Sequence, residues 1–208
     1  MELGAGCGRV LRALLAAGHD AWGLELDSAR VARGRARLAA ADLPPERLLQ
    51  GDARIWSSEA RFHLVLAPYN LLALFDDVGV ADVLGTARTA APNGDLALEA
   101  QVWPHEPTPG RAWPNGRTEV TLGGEAASYR ETVVERAGGV LQVGRRWRLP
   151  DGSERQSMLR LQIRSAQALT ALLHASGWRL LGPIVDQRGA APTEESRVVY
   201  VRATSRGP

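Results

Sequence analysis

The chain has no lysine: all 25 of its basic residues are arginine. Chemistry that needs a primary amine, such as a Schiff base or the lysine of a phosphate-binding P-loop, is therefore closed to it. Cysteine is nearly as scarce. Cys7 stands alone, which excludes an internal disulfide framework and a multi-thiolate metal cluster. The four histidines, His19, His63, His105 and His174, show no helical pair or short ligand spacing, so no metal is expected. Apolar runs stay far below the roughly 18 residues of a membrane helix, and Met1-Glu2 opens without the basic and apolar regions of a signal peptide. A cytoplasmic protein with no membrane partner is expected. Charge of one sign is lacking too: the formal net charge is +2, which gives no argument for nucleic acid as a partner.

What is present is 208 residues, 45% of them apolar, enough for one large domain or a domain with a modest insertion. The first half alternates between periods. Glu2-Leu3 leads into Gly4-Ala5-Gly6-Cys7-Gly8, and Val10, Leu11, Leu14 and Leu15 then form an apolar stripe at helical spacing, stopped by Gly18. Residues 21–26 read as extended, Ser28 as an N-cap, and 29–41 as a helix broken by Leu43-Pro44-Pro45. Further strands are expected over 47–50, 62–66 and 95–102, with helices over 70–77 and 80–90. Strands alternating with helices predict a doubly wound, mostly parallel sheet covered on both faces.

Helical spacing disappears after a loop over 103–116. Four extended runs, 118–122, 126–136, 140–149 and 153–163, are separated by Gly123-Gly124, Gly138-Gly139 and Pro150-Asp151-Gly152, the turn pairs that antiparallel hairpins select. The expected organisation is a core over 1–117 and 165–208 with an antiparallel insertion over 118–164. Arg145, Arg146 and Arg148 fall in one of its strands and read as arginines on a solvated sheet face, with an anion patch as the alternative. An amphipathic helix over 165–176 and strands over 178–185 and 197–203 complete the chain. The segment 186–195, with Arg188, reads as a surface hairpin.

Alternating glycines at Gly4, Gly6 and Gly8 let backbone turn tightly at a strand end and leave no side chains between a ligand and the next helix's N-terminus. Glu25 ends the second strand 21 residues after Gly4, close to the interval at which an acid reaches ribose hydroxyls. Asp52, in Gly51-Asp52-Ala53, stands beyond the third strand. The glycine spacing is G-x-G-x-G, and Arg9 occupies the place of the third glycine in a dinucleotide fingerprint. A pyrophosphate at a helix N-terminus is disfavoured by an adjacent anion, whereas Glu2 suits a cation.

On these residues the sequence resembles the class I S-adenosylmethionine-dependent methyltransferases. Glu2 to Gly8 looks like that family's first motif, Gly23-Leu24-Glu25-Leu26-Asp27 like its ribose-binding strand end, Gly51-Asp52-Ala53 like its adenine segment, and residues 62–70 like its fourth strand and the turn below the methyl donor. The resemblance implies a seven-stranded Rossmann-like sheet and S-adenosylmethionine as cofactor. Glu2, Gly4, Ala5, Gly6 and Gly8 would hold its amino acid part, Glu25 and Leu26 its ribose side, Asp52 and Ala53 its adenine, and Ala67 to Tyr69 would flank the sulfonium. An NAD(P)-binding oxidoreductase and a non-catalytic cofactor-binding remnant or partner subunit stay open as alternatives.

Methyl transfer to an oxygen or nitrogen of a small-molecule acceptor is the implied reaction. Tyr69, and His105 in the loop after the fifth strand, are the catalytic candidates, since a doubly wound sheet presents its ligands there. Pro68-Tyr69 matches half of the N/D-P-P-Y motif of enzymes that methylate base amines, but Ala67 cannot accept the amine's hydrogen bond, so nucleic-base methylation is not expected. The fifth strand, its Trp-Pro loop and the antiparallel strands are similar to small-molecule N-methyltransferases of the aminosugar type, which implies a homodimer. Family members carry more of the first strand and a helix before the first motif. With three residues ahead of Gly4 here, either a truncated or mis-set start, or a gap covered by a neighbouring chain or element, is expected.

Overall fold

The computed structural model describes residues 1–101, 112–122, 125–137, 139–193, 196 and 198–205. The first half alternates strand and helix: β1 (Glu2–Leu3), α1 (Arg9–Ala16), β2 (Gly23–Glu25), α2 (Ser28–Ala39), β3 (Leu48–Gln50), β4 (Leu64–Ala67), α3 (Asp77–Ala90) and β5 (Asp95–Gln101). A separate antiparallel sheet follows, formed by β6 (Ala112–Leu122), β7 (Glu125–Ala137), β8 (Val140–Arg148) and β9 (Glu154–Gln162). The chain then returns through α4 (Ala166–Ala175), β10 (Arg179–Leu180), β11 (Val185–Asp186) and β12 (Val198–Thr204).

The main sheet runs β10-β12-β5-β4-β1-β2-β3, with β11 as a short eighth strand beside β12. Strands β1 to β5 pair in parallel, and β12 lies antiparallel to β5 over seven residue pairs. The expected class is thus present: a mostly parallel, doubly wound α/β sheet of Rossmann-like type with a four-stranded antiparallel addition. Chain order reverses at β1, which touches both β2 and β4, so the crevice above their carboxyl ends is where such a sheet receives ligands.

Two apolar clusters cover the sheet. On one side Leu11, Val31 and Leu38 of α1 and α2 pack with Ala5, Ala21 and Leu48. The larger cluster joins Val80, Val83 and Leu84 of α3 and Leu169 and Leu173 of α4 to Leu24, Val65, Leu96, Leu98 and Val199. Trp178 is fully buried there, its indole N–H donating to the Leu84 carbonyl at 3.1 Å. Leu141, Val143 and Leu161 seat the antiparallel sheet on Ala73.

Several local expectations are corrected. The N-cap of α2 is Asp27, which accepts from the Arg30 amide at 2.9 Å, and Ser28 is already helical; a carboxylate caps as well as a hydroxyl and also favours the helix dipole. The helix expected over 70–77 is a 3-10 turn, Leu71–Leu74, after which Asp76 caps α3 through the Gly79 amide. The single strand expected over 178–185 is two short ones, and Gly182-Pro183 lie between them.

Glycines in two helices make a matched pair. A Cβ on Gly34 of α2 would lie 2.4 Å from Leu48 Cδ2 and 3.0 Å from the Cys7 carbonyl carbon, whereas a Cβ on Gly85 of α3 would meet nothing within 4 Å. Gly85→Ala is therefore expected to stabilise by about 0.5–1 kcal/mol through helix propensity. Gly34→Ala should instead destabilise by about 1–3 kcal/mol, overpacking outweighing propensity. Urea unfolding of both variants checks this, and equal shifts would show that α2 has room against the loop.

Candidate functional site

Gly4, Gly6 and Gly8 all adopt left-handed backbone, with φ of 67°, 58° and 74°, which a side chain would strain. They bend the chain from β1 onto the first turn of α1, where Gly8 stands at the N-cap without a side-chain cap. A Cβ on Gly4 would lie 2.8 Å from Leu71 Cδ1, so the turn after β4 presses against the loop from below. At Gly6 a Cβ would meet nothing within 4 Å. The open space that a ligand requires is thus above Gly6, and Ala5, buried in the core below, faces the other way.

Two buried carboxylates flank the loop. Glu2, 3% exposed, accepts from the Leu11 amide at Oε2, 2.9 Å away; among the described residues this is the only hydrogen bond of its side chain. Burial pushes its carboxyl up to about 7, against the opposing pull of the Leu11 N–H and the Arg9 guanidinium. Glu25, 6% exposed, accepts from Gly6 N at 2.8 Å and from Asp27 N at 2.9 Å, one bond on each oxygen. Its carboxylate therefore splints the glycine loop to the end of β2. Four lone-pair sites on a carboxylate leave room for further donors.

Asp52 lies beyond β3, held by Arg54 through its backbone amide at 2.9 Å and its guanidinium at 2.6–3.1 Å. The guanidinium holds its carboxyl below the usual range. Gly51 N donates to the Glu25 carbonyl, tying this segment to β2. Ala53 and Ala67 are buried, while Leu26 is 62% exposed at the end of β2.

Beyond β4 the backbone is strained. Tyr69 and Asn70 both have positive φ, 55° and 57°, uncommon outside glycine and least tolerated for a bulky residue. The Asn70 amide explains how the turn is held: its Nδ2 donates to Gln101 Oε1 and its Oδ1 accepts from Gln101 N, both at 2.8 Å. Tyr69, 63% exposed, turns its ring under the Arg9 guanidinium, 4.4 Å from the ring centre. Burial pushes the Glu99 carboxyl of β5 upward, with Arg9 opposing.

The crevice thus gathers Glu2, the glycine loop, Glu25 and the turn at Tyr69 at the carboxyl edge of β1, β2 and β4. Sequence reading missed Arg9, Asn70 and Gln101. Arg9 was signalled by its place immediately after Gly8, and the side-chain-compatible left-handed residue Asn70 by following Pro68-Tyr69. His105 lies outside the described residues. Among the described residues no group of histidine, cysteine or acids is arranged to hold a metal ion, and no helix is long and apolar enough to cross a membrane.

Residues 1–94 match a family described as a methyltransferase domain. No curated protein matches. Among solved structures, an S-adenosylmethionine-dependent methyltransferase from Clostridium acetobutylicum aligns with a TM-score of 0.83 at 11% identity, over 99% of this chain and 83% of that one. The CcbJ methyltransferase from Streptomyces caelestis aligns at 0.79 and 20% identity, over 99% and 82%. CalS10, an amino pentose methyltransferase from Micromonospora echinaspora, aligns at 0.72 and 22% identity, over 99% and 82%. The fold is that of S-adenosylmethionine-dependent methyltransferases.

Proposed function

We propose that this chain is an enzyme that transfers the methyl group of S-adenosylmethionine to an oxygen or nitrogen of a small-molecule acceptor in the cytoplasm. The observation that carries the reading is the left-handed glycine loop, open above Gly6 and splinted by Glu25, with the buried Glu2 carboxylate beside it. That donor set fits a ligand with a cationic amino acid part and a ribose diol and no phosphate. Bound, S-adenosylmethionine supplies a methyl group on positively charged sulfur, which leaves with the carbon–sulfur electron pair as an acceptor lone pair forms the new bond.

The residues of this chain bind and align. Glu2 and the amides around Gly4 to Gly8 hold the amino acid part, Glu25 with Leu26 the ribose side, and Asp52 with Ala53 the adenine. Ala67 and Tyr69 border the transferring carbon. Much of the acceleration comes from fixing donor and acceptor in line. His105 and Tyr69 are the candidates to take the acceptor's proton. Names among the similar structures include an amino pentose methyltransferase and a glycopeptide N-methyltransferase, so aminosugars and glycopeptides are the first acceptors to try. A homodimer is the assembly this reading expects.

The test has two arms. Calorimetric titration with S-adenosylhomocysteine and with NAD is expected to show binding of the first, and preference for NAD overturns the reading. Labelled S-adenosylmethionine incubated with an aminosugar panel and a small-metabolite extract is expected to yield a methyl-labelled product. Binding without label would make the chain a cofactor-binding remnant.

Glu2 adds a pH signature. Its folded value near 7 lies above the ordinary 4.5, so between those values the folded state keeps a proton that the unfolded chain has released. Without ligand, Glu2 thus costs stability progressively as pH rises from about 4.5 to 7 and no further above it. A cationic donor binds the ionised form, so S-adenosylmethionine affinity should rise about tenfold from pH 6 to pH 8. In Glu2→Gln that dependence should flatten and thermal unfolding should lose this pH slope; a wild-type slope in the variant would assign it elsewhere.

A further inference from the structure

The outer face of the antiparallel sheet carries a charge arrangement that the proposed transfer does not use. Register sets Arg130 of β7 directly opposite Arg146 of β8, and Arg146 opposite Gln156 of β9. Because side chains alternate along a strand, Ser128, Arg130 and Thr132 share a face with Gly144, Arg146 and Arg148, and with Gln156 and Met158. These residues line a cleft of about 750 Å³. Arg145, between Gly144 and Arg146 in sequence, points to the other face, where Glu131 accepts from its Nε at 2.7 Å and from the Tyr129 hydroxyl.

The two faces treat their arginines differently. Inward-facing Arg145 has an acid of its own. On the outer face Glu154 pairs with Arg148 at 3.1 Å, and Glu119, opposite Ser128, is itself engaged. Arg130 and Arg146 have no ion pair among the described residues. Like charges placed directly opposite on neighbouring strands repel and destabilise a sheet, so this pair costs the folded protein unless something negative sits between its members. Opposed positions hold their Cβ atoms only about 5 Å apart, close enough for both guanidinium forks to close on one tetrahedral oxyanion. Ser128, Thr132 and Gln156 add neutral donors around the same cleft.

From this arrangement we propose that the outer face of the antiparallel sheet is a binding site for an oxyanion of the phosphate class, seated between Arg130 and Arg146. The cleft volume suits a small phosphorylated molecule. Its lining has no aromatic ring on which a nucleobase would stack, which separates it from a nucleic-acid surface. The site is independent of the methyl-transfer reading and stands or falls without it.

The probes are inorganic phosphate and glucose 1-phosphate, each compared with sodium chloride at equal ionic strength, with thermal unfolding and calorimetry on the full chain. Both phosphates are expected to raise the unfolding temperature where chloride does not. Stronger binding of the sugar ester would identify a phosphorylated metabolite, and equal binding a free-anion site. In the double variant Arg130→Gln, Arg146→Gln the affinity is expected to fall at least tenfold, while the ligand-free protein unfolds at the same or a higher temperature because the repulsion is gone. Arg160→Gln, on the neighbouring β9 and outside the cleft lining, should bind phosphate as the wild type does. Chloride matching phosphate, an unaltered double variant, or an equal loss in Arg160→Gln would each overturn the proposal in favour of a merely solvated face.

Discussion

Glu25→Ala is expected to weaken S-adenosylhomocysteine binding by about ten- to hundredfold, equivalent to about 1–3 kcal/mol for the loss of a buried, hydrogen-bonded carboxylate. Two effects combine. The acceptor for the ribose hydroxyls is removed, and the Gly6 and Asp27 amides lose the oxygens that hold them at 2.8 and 2.9 Å. Glu25→Gln should not rescue, because turning the amide so that its oxygen meets one backbone N–H presents an NH₂ to the other. Calorimetry on both variants, with circular dichroism to show that each is folded, decides the matter. Affinity within about twofold of the wild type in Glu25→Ala would mean that the ribose lies elsewhere.

Arg164→Met is expected to lower stability by about 2–4 kcal/mol, several hydrogen bonds to a charged group being lost at once. The Arg164 side chain is 8% exposed. It donates to the Leu72 carbonyl at 3.1 Å, the Phe75 carbonyl at 2.9 Å and the Gln162 carbonyl at 3.3 Å, and it pairs with Asp77. The Leu72 and Phe75 carbonyls belong to the 3-10 turn and its C-cap, and the first residue of that turn, Leu71, presses on Gly4. The same substitution should therefore also weaken S-adenosylhomocysteine binding, although Arg164 stands apart from the glycine loop. Asp77 is 72% exposed, so Asp77→Asn is expected to cost under about 1 kcal/mol, as surface ion pairs do. Thermal unfolding of the two variants tests the ranking; equal losses would show that the ion pair, rather than the carbonyl cluster, carries the effect.

Elements dictated by local chemistry were legible in the sequence. Gly4, Gly6 and Gly8 announced a tight turn at a strand end, Glu25 an acid at a strand end, and the Gly-Gly and Pro-Asp-Gly turns the hairpins of the second sheet. Contacts set by partners far along the chain were not. The Asn70 amide meets Gln101, 31 residues away, and no local pattern encodes that clamp. Arg145, Arg146 and Arg148 read as one group until the strand pleat sent Arg145 inward to Glu131 and left the others beside Arg130. Register across a hairpin depends on where the turn closes and on the bulge between Val133 and Glu135, neither of which composition reveals. Pairing also explains the divided segment after Trp178, since β10 and β11 lie on different stretches of β12.

The placement of β12 bears on how the protein is made. Strand β12 lies within the sheet rather than at its rim, pairing with β5 on one side and with β10 and β11 on the other. Its partners on β5 precede it by about a hundred residues. While the ribosome is still synthesising the second half, β5 therefore waits with an open edge, the kind of surface that recruits unwanted strands. Closure of the nascent sheet therefore awaits the synthesis of β12, and a ribosome that stalls before Val198 would release a chain that chaperones must shield or proteases remove.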